Sequence, residues 1–193
     1  MNLNDIQSEL REGVTASQRL LDECAADIER ICRIACDAVK AGRTLYFCGN
    51  GGSFTDSLHI VGELVGRLRY DRPGIAAVTL GANTASLTAV GNDYGYEQIF
   101  AREVDALVKP GDAVFGLSTS GSSKNVLVAI ERAKAKKAKT IGLTGEKKGT
   151  PLDTLCDLTL HVPGTTSWRI QESHICVGHI LATAVERALY PKT

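Results

Sequence analysis

The sequence predicts an α/β fold, a five-stranded parallel sheet with helices on both faces in a three-layer α/β/α arrangement. Three observations carry this. From position 44 onward, five short apolar runs (44–48, 76–80, 113–117, 140–143 and 158–162) alternate with helical stretches. Each run is followed by a Gly- or Ser-rich turn, and strands separated by helices form right-handed parallel βαβ units. With 193 residues, 44% hydrophobic and 23% charged, the chain suits about one ordinary globular domain.

The first forty residues precede this pattern and read as helix. Ile6, Leu10 and Val14 recur at helical spacing, as do Ile28, Ile31, Cys32, Ala35 and Val39, and Gly42 supplies the stop. One flank of a small domain cannot cover both apolar stripes, so these helices are expected to pack partly against another subunit. After the first strand a helix starts near Ser53 and runs to Leu68. Further helices start near Thr84, Ser123 and Trp168, with an additional helical stretch over 96–108. The crossover at 146–154 is short and rich in Gly, Lys and Thr, and reads as loop with at most a turn of helix. The expectation is a single domain over 1–193, with residues 1–42 a helical extension and 43–193 the α/β core.

Charge and cysteine content exclude several classes. Lys plus Arg and Asp plus Glu both number 22, so the basic excess of a phosphate-neutralising nucleic-acid binder is missing. No apolar run approaches the ~18 residues of a membrane span, and the polar start does not read as a cleavable leader. Cys24, Cys32, Cys36, Cys48, Cys156 and Cys176 form no CxxC pair and lie mostly among apolar neighbours, the pattern of reduced thiols in a cytoplasmic protein.

Two turns beyond the carboxyl ends of strands stand out, where ligands bind in such sheets. Cys48-Gly49-Asn50-Gly51-Gly52-Ser53 leads straight into a helix. Its glycines admit close backbone approach, and Ser53 is placed to cap a helix start that attracts anions. Ser118-Thr119-Ser120-Gly121-Ser122-Ser123 opens another helix and offers five hydroxyls without a lysine. Either turn alone is equally a tight βα connection. Together they point to a phosphate site, and the absence of GxGxxG and GxxxxGK[ST] favours a compact phosphoester over a dinucleotide.

Asp56, His59 and Glu63 fall at about 0°, −60° and −20° on the helix after the first turn, so they share one face. His59 and Glu63, at i and i+4, can grip one metal ion, although such a pair is commonly a solvated surface pair. On the last helix, with Gln171 at zero, His179 lies near 80° and His174 near −60°. Gln171 and His179 can therefore aim at one point, while His174 points away and reads as structural. His161, in the last strand, reads as a packing or edge residue. The segment Gly91-Asn92-Asp93-Tyr94-Gly95 offers a carboxylate and an amide, or simply an Asx turn.

Taken in order, GNGGS, DxxHxxxE, GND, STSGxS and RIQExH with a histidine five residues later resemble the phosphoheptose isomerases of the sugar isomerase (SIS) superfamily. The resemblance spans essentially the whole chain, including Asp71-Arg72-Pro73-Gly74. STSGxS alone indicates only sugar-phosphate binding, whereas His59, Glu63, Gln171 and His179 together are far more specific. The resemblance implies a cytoplasmic homotetramer converting D-sedoheptulose 7-phosphate to D-glycero-D-manno-heptose 7-phosphate. It implies one zinc per subunit on His59, Glu63, Gln171 and His179, with Glu63 and His179 as the acid–base pair. Asn50, Gly51 and Gly52 would line the sugar, and Ser53, Ser118, Thr119, Ser120 and Ser123 would hold the phosphate. Asn92 and Asp93 would meet sugar hydroxyls, and Glu63 and Gln171 would also touch substrate. Phe54, Thr55 and Lys124 depart from the family pattern outside this set. A non-enzymatic SIS tetramer that binds a replication initiator resembles the chain around RIQE but lacks the equivalent of His179. A sugar-phosphate-sensing regulator would need a helix-turn-helix, which the amino-terminal helices, lacking a basic recognition helix, do not supply. Isomerisation of another sugar phosphate is the nearest alternative within enzymes.

Overall fold

The structure is a computed structural model that describes residues 1–192; the carboxyl end of the expected domain, Thr193, lies outside the described residues. Five parallel strands, β1 (Leu45–Gly49), β2 (Ala77–Thr79), β3 (Ala113–Leu117), β4 (Lys139–Thr144) and β5 (Leu158–His161), form a sheet in the order β2-β1-β3-β4-β5. The α-helices are α1 (Leu3–Lys40), α2 (Gly52–Val65), α3 (Thr84–Tyr94), α4 (Ala101–Leu107), α5 (Lys124–Ala135), α6 (Pro151–Leu155) and α7 (Ser167–Leu189). A short 3₁₀ turn, Tyr96–Gln98, sits between α3 and α4. All five expected strands and the alternation are present, and the crossover at 146–154 contains only the five-residue α6.

Strands β1 and β3 are buried along their whole length because both sheet faces are covered. Side chains alternate between two cores. Leu45, Phe47, Ala113, Phe115 and Leu117 meet residues of α1, α2 and α7. Tyr46, Cys48 and Val114 meet residues of α4 and α5.

The amino-terminal stretch is one 38-residue helix rather than several. No proline interrupts it, and Asn2 and Asp5 close a capping box at its start. From Leu20 onward its apolar stripe is buried on α7 and the sheet, whereas Leu3, Ile6, Leu10 and Val14 stay exposed. Arg169 on α7 tethers this half through Glu9 (2.7 Å) and also bonds Glu172 (2.8 Å).

Candidate active site

The order of the sheet places the site. From β1 the chain runs to one side, to β2, and then crosses to the other, to β3. The turns after β1 and β3 therefore flank the crevice where strand order reverses, the usual ligand position in open α/β sheets. Because Gly49 is in register with Leu117, Asn50 and Ser118 leave the sheet side by side.

In the first turn Gly51, with φ +54°, is the residue before α2. Ser53 lies inside the helix, buried, and its side chain makes no capping bond, which corrects the expected cap. A glycine takes that place because the chain must pass through a positive φ to enter the helix. Gly52 has a different reason: a Cβ there would lie 2.5 Å from Gln171 Oε1, so the turn packs directly against the Gln171 amide. In the second turn Ser118 Oγ lies 2.9 Å from Ser123 Oγ, and Ser122 Oγ donates to Ser120 Oγ at 2.9 Å. Ser118, Ser120 and Ser123 thus gather at the start of α5, with Thr119 between them.

His59, Glu63 and His179 come together: the helical angles put His59 and Glu63 on one face, and their meeting with His179 is the one the resemblance implied. His59 Nε2 is 2.9 Å from His179 Nε2 and 3.3 Å from Glu63 Oε1. The cause is a close helix crossing: a Cβ on Gly178 would lie 2.5 Å from Ile60 Cγ1, so α7 presses onto α2 there. The immediate neighbours of that contact, His179 and His59, are carried into each other. Sequence reasoning passed over Gly178, although a glycine inside an apolar helical pattern signals a close approach.

At most one proton can sit between two imidazole nitrogens at that distance, and with both nitrogens unprotonated their lone pairs and the Glu63 carboxylate face one another. All three donor atoms lie within 4.8 Å of one another, and two imidazoles with a carboxylate form a donor set that suits a zinc-like ion. Gln171, on α7 two turns before His179, sets its amide against Gly52 of the first turn.

Asn92 and Asp93 occupy the last turn of α3 instead of a loop. Both are exposed and bond each other at 2.8 Å, and no hydrogen bond joins them to the other candidates among the described residues. His174 is fully buried, and burial pushes its imidazole down to about 4, which fits a structural role. His161 reaches Gly145 O (3.1 Å) and Asp153 (2.8 Å) at the sheet edge, away from the cluster. Lys124 pairs with Glu97 on the surface at 3.1 Å, and the Thr55 hydroxyl donates to Gly52 O.

One further feature was missed from sequence. The Arg72 side chain is buried and donates to the carbonyls of Glu63 (2.7 Å) and Leu64 (2.7 Å), fastening the end of α2 that bears Glu63. Asp56, which the sequence placed on the same face as His59 and Glu63, has its Oδ2 buried without a partner. Desolvation pushes its carboxyl up to about 6, against a smaller opposing effect of His59. A raised folded-state value means the protein loses stability as pH climbs from 3.8 to about 6. In metal-stripped protein, Asp56→Asn is therefore expected to raise Tm at pH 7 and to give no gain at the acid end of that window. Thermal scans across this range check it; a gain independent of pH would contradict it.

Known proteins resemble this chain in sequence and fold. The SIS domain model matches residues 10–145. A phosphoheptose isomerase of Akkermansia muciniphila is 44% identical over 178 residues, covering 92% of this chain and 94% of its own. Phosphoheptose isomerase 2 of Campylobacter jejuni is 50% identical over 155 residues, covering 80% of this chain and 77% of its own. The solved structure of a phosphoheptose isomerase from Francisella tularensis superposes with a TM-score of 0.92 at 31% identity, covering 97% of this chain and 100% of its own. With relatives this similar over nearly their whole length, and with the same fold around the crevice, the chain belongs to the phosphoheptose isomerase family of SIS-domain enzymes.

Proposed function

We propose that this enzyme converts D-sedoheptulose 7-phosphate to D-glycero-D-manno-heptose 7-phosphate, the step that leads toward activated heptoses. The convergence of His59, Glu63 and His179 beside the Gly-rich turn carries this reading, because ketose–aldose exchange needs acid–base groups clustered at one end of an anchored chain. The serine-rich start of α5 would hold the phosphate through Ser118, Thr119, Ser120 and Ser123, joined by Ser53. Anchoring that remote end aligns C1 and C2 with the cluster.

Glu63 takes the proton from C1 and returns it at C2, and His179 moves protons between O1 and O2, each worth about 10²–10⁴-fold. Asn50, Gly51, Gly52 and Gln171 line the sugar, and Asn92 and Asp93 meet its hydroxyls from the end of α3. His59, Glu63, Gln171 and His179 would hold one zinc ion per subunit, which when bound would polarise the substrate's oxygens. Glutamine is an unusual zinc ligand and suits a site of modest affinity.

The reading extends to a cytoplasmic homotetramer. Its support is the exposed stripe Leu3, Ile6, Leu10 and Val14, together with an apolar groove of about 420 Å³ between α1 and α7 lined by Leu20, Leu21, Ile28, Cys176 and Ile180. Among the described residues no helix is long and apolar enough to cross a membrane.

Incubation with sedoheptulose 7-phosphate, followed by NMR, is expected to show new aldose signals. Elemental analysis of protein prepared without chelator should find zinc, and His59→Ala should lose it. Absence of aldose signals would refute the activity, and absence of metal would leave the acid–base roles alone.

A further inference from the structure

Tyr96 and Asn125 stand outside the residues so far given roles, yet they set the hydrogen-bonding character of Asn50. The assignment starts from the backbone. Val126 N–H donates to Asn125 Oδ1 at 3.0 Å, which fixes that atom as the amide oxygen. Asn125 Nδ2 therefore donates to Asn50 Oδ1 at 2.8 Å, and Asn50 Nδ2 donates back to Asn125 Oδ1 at 2.9 Å. The Tyr96 hydroxyl, 2.9 Å from Asn50 Oδ1, donates to it. An amide oxygen accepts two hydrogen bonds and an amide nitrogen donates two. Both acceptor positions of Asn50 are thus filled, and a single N–H is left.

We propose that Tyr96 is a positioning residue: by filling the last lone pair of Asn50 Oδ1, it makes Asn50 a pure hydrogen-bond donor toward an acceptor oxygen of the sugar phosphate. The idea rests on the isomerase reading above. Phosphate and carbonyl oxygens only accept, so an Asn50 with a free lone pair could turn to bind water or a hydroxyl instead. The two supports differ in kind. Asn125 is 3% exposed and ties the first turn to the start of α5. Tyr96 is 61% exposed, so its hydroxyl can be removed without disturbing the core.

A double-mutant cycle tests this. Tyr96→Phe, Asn50→Ala and the double variant are titrated calorimetrically with a heptitol 7-phosphate, which has no carbonyl and cannot turn over. The kcat/KM for sedoheptulose 7-phosphate is measured in parallel. Tyr96→Phe is expected to weaken binding by about 5–20-fold, the range for losing the hydrogen bond that Asn50, once no longer oriented, makes to the ligand, with Tm unchanged. Adding Tyr96→Phe to Asn50→Ala should cost nothing further, whereas an independent or merely structural effect of Tyr96 would persist in that background. Asn50→Asp, which can only accept, should bind more weakly than Asn50→Ala. Circular dichroism checks folding, and Asn50→Ser replaces Asn50→Ala if the latter unfolds. The proposal is overturned if Tyr96→Phe stays within twofold of the parent, if its cost is equal in both backgrounds, or if the parent does not bind the heptitol phosphate. A parent that binds it but does not isomerise sedoheptulose 7-phosphate would sink the isomerase reading, while the binding cycle still decides the role of Tyr96.

Discussion

Glu63→Gln is expected to lower turnover of sedoheptulose 7-phosphate by about 10²–10⁴-fold, the range for loss of a general base, while sugar phosphate still binds. The amide keeps the shape of the side chain and its place 3.3 Å from His59 Nε2, but it cannot accept a proton from C1. His179→Gln should fold and lose turnover similarly, since it removes the group that moves protons between the oxygens. Isomerisation by the parent enzyme in deuterium oxide should place deuterium at C2 of the aldose, and Glu63→Gln should place almost none. Retention of more than about a tenth of parental turnover, less than a general base is worth, would show that Glu63 is not the base. Asp56, the half-buried carboxyl on the same helix, would then be the next to replace.

Arg72→Ala should cost about 3–5 kcal/mol of stability, the usual result of leaving one partner of a buried ion pair alone. Arg72 Nε lies 3.2 Å from Glu186 Oε2, and the two side chains are 2% and 0% exposed. The arrangement is more than a pair. The Arg72 guanidinium also donates to the carbonyls of Glu63, Leu64 and Gly66 at the end of α2, and Leu64 O accepts from Ile75 N–H as well. Glu186 accepts from the N–H groups of Leu68 and Arg69. A double replacement, Arg72→Met with Glu186→Leu, should therefore recover only part of the loss, because these backbone groups lose their partners as well. Urea unfolding followed by circular dichroism measures both values; a single replacement costing under 1 kcal/mol would refute the pinning role.

What was legible in the sequence is what repeats within a few residues. Helical and strand periods are local, so the runs at 44–48 and 113–117 and the helices between them could be read directly. The same periodicity placed His59 and Glu63 on one face of α2, and Gln171 and His179 near one another on α7. The phosphate turn was legible because its hydroxyls are contiguous. Local reading failed where neighbouring signals compete. Ser53 looked like a cap, but the positive φ needed to enter α2 falls on Gly51, two positions earlier. Asn92 and Asp93 looked like loop, yet the helix begun at Thr84 under the Asn83 cap simply continues through them. Two apolar stripes looked like separate helices, although nothing between them breaks the backbone.

The sequence by itself determined the α/β class, the list of elements and the chemistry on each helix, since each of these depends on residues only a few positions apart. The tertiary structure decided which of them meet. It set the strand order that brings Asn50 and Ser118 side by side, although 68 positions separate them along the chain. It set the crossing of α2 and α7 at Gly178, which joins His59 to His179 across 120 positions. It also set the Asn50–Asn125 and Arg72–Glu186 pairings, which fix the donor and the helix end beside the cluster. The physical reason is that these contacts follow from how whole elements pack, and a helix or strand pattern encodes the buried face but not the partner it is buried against.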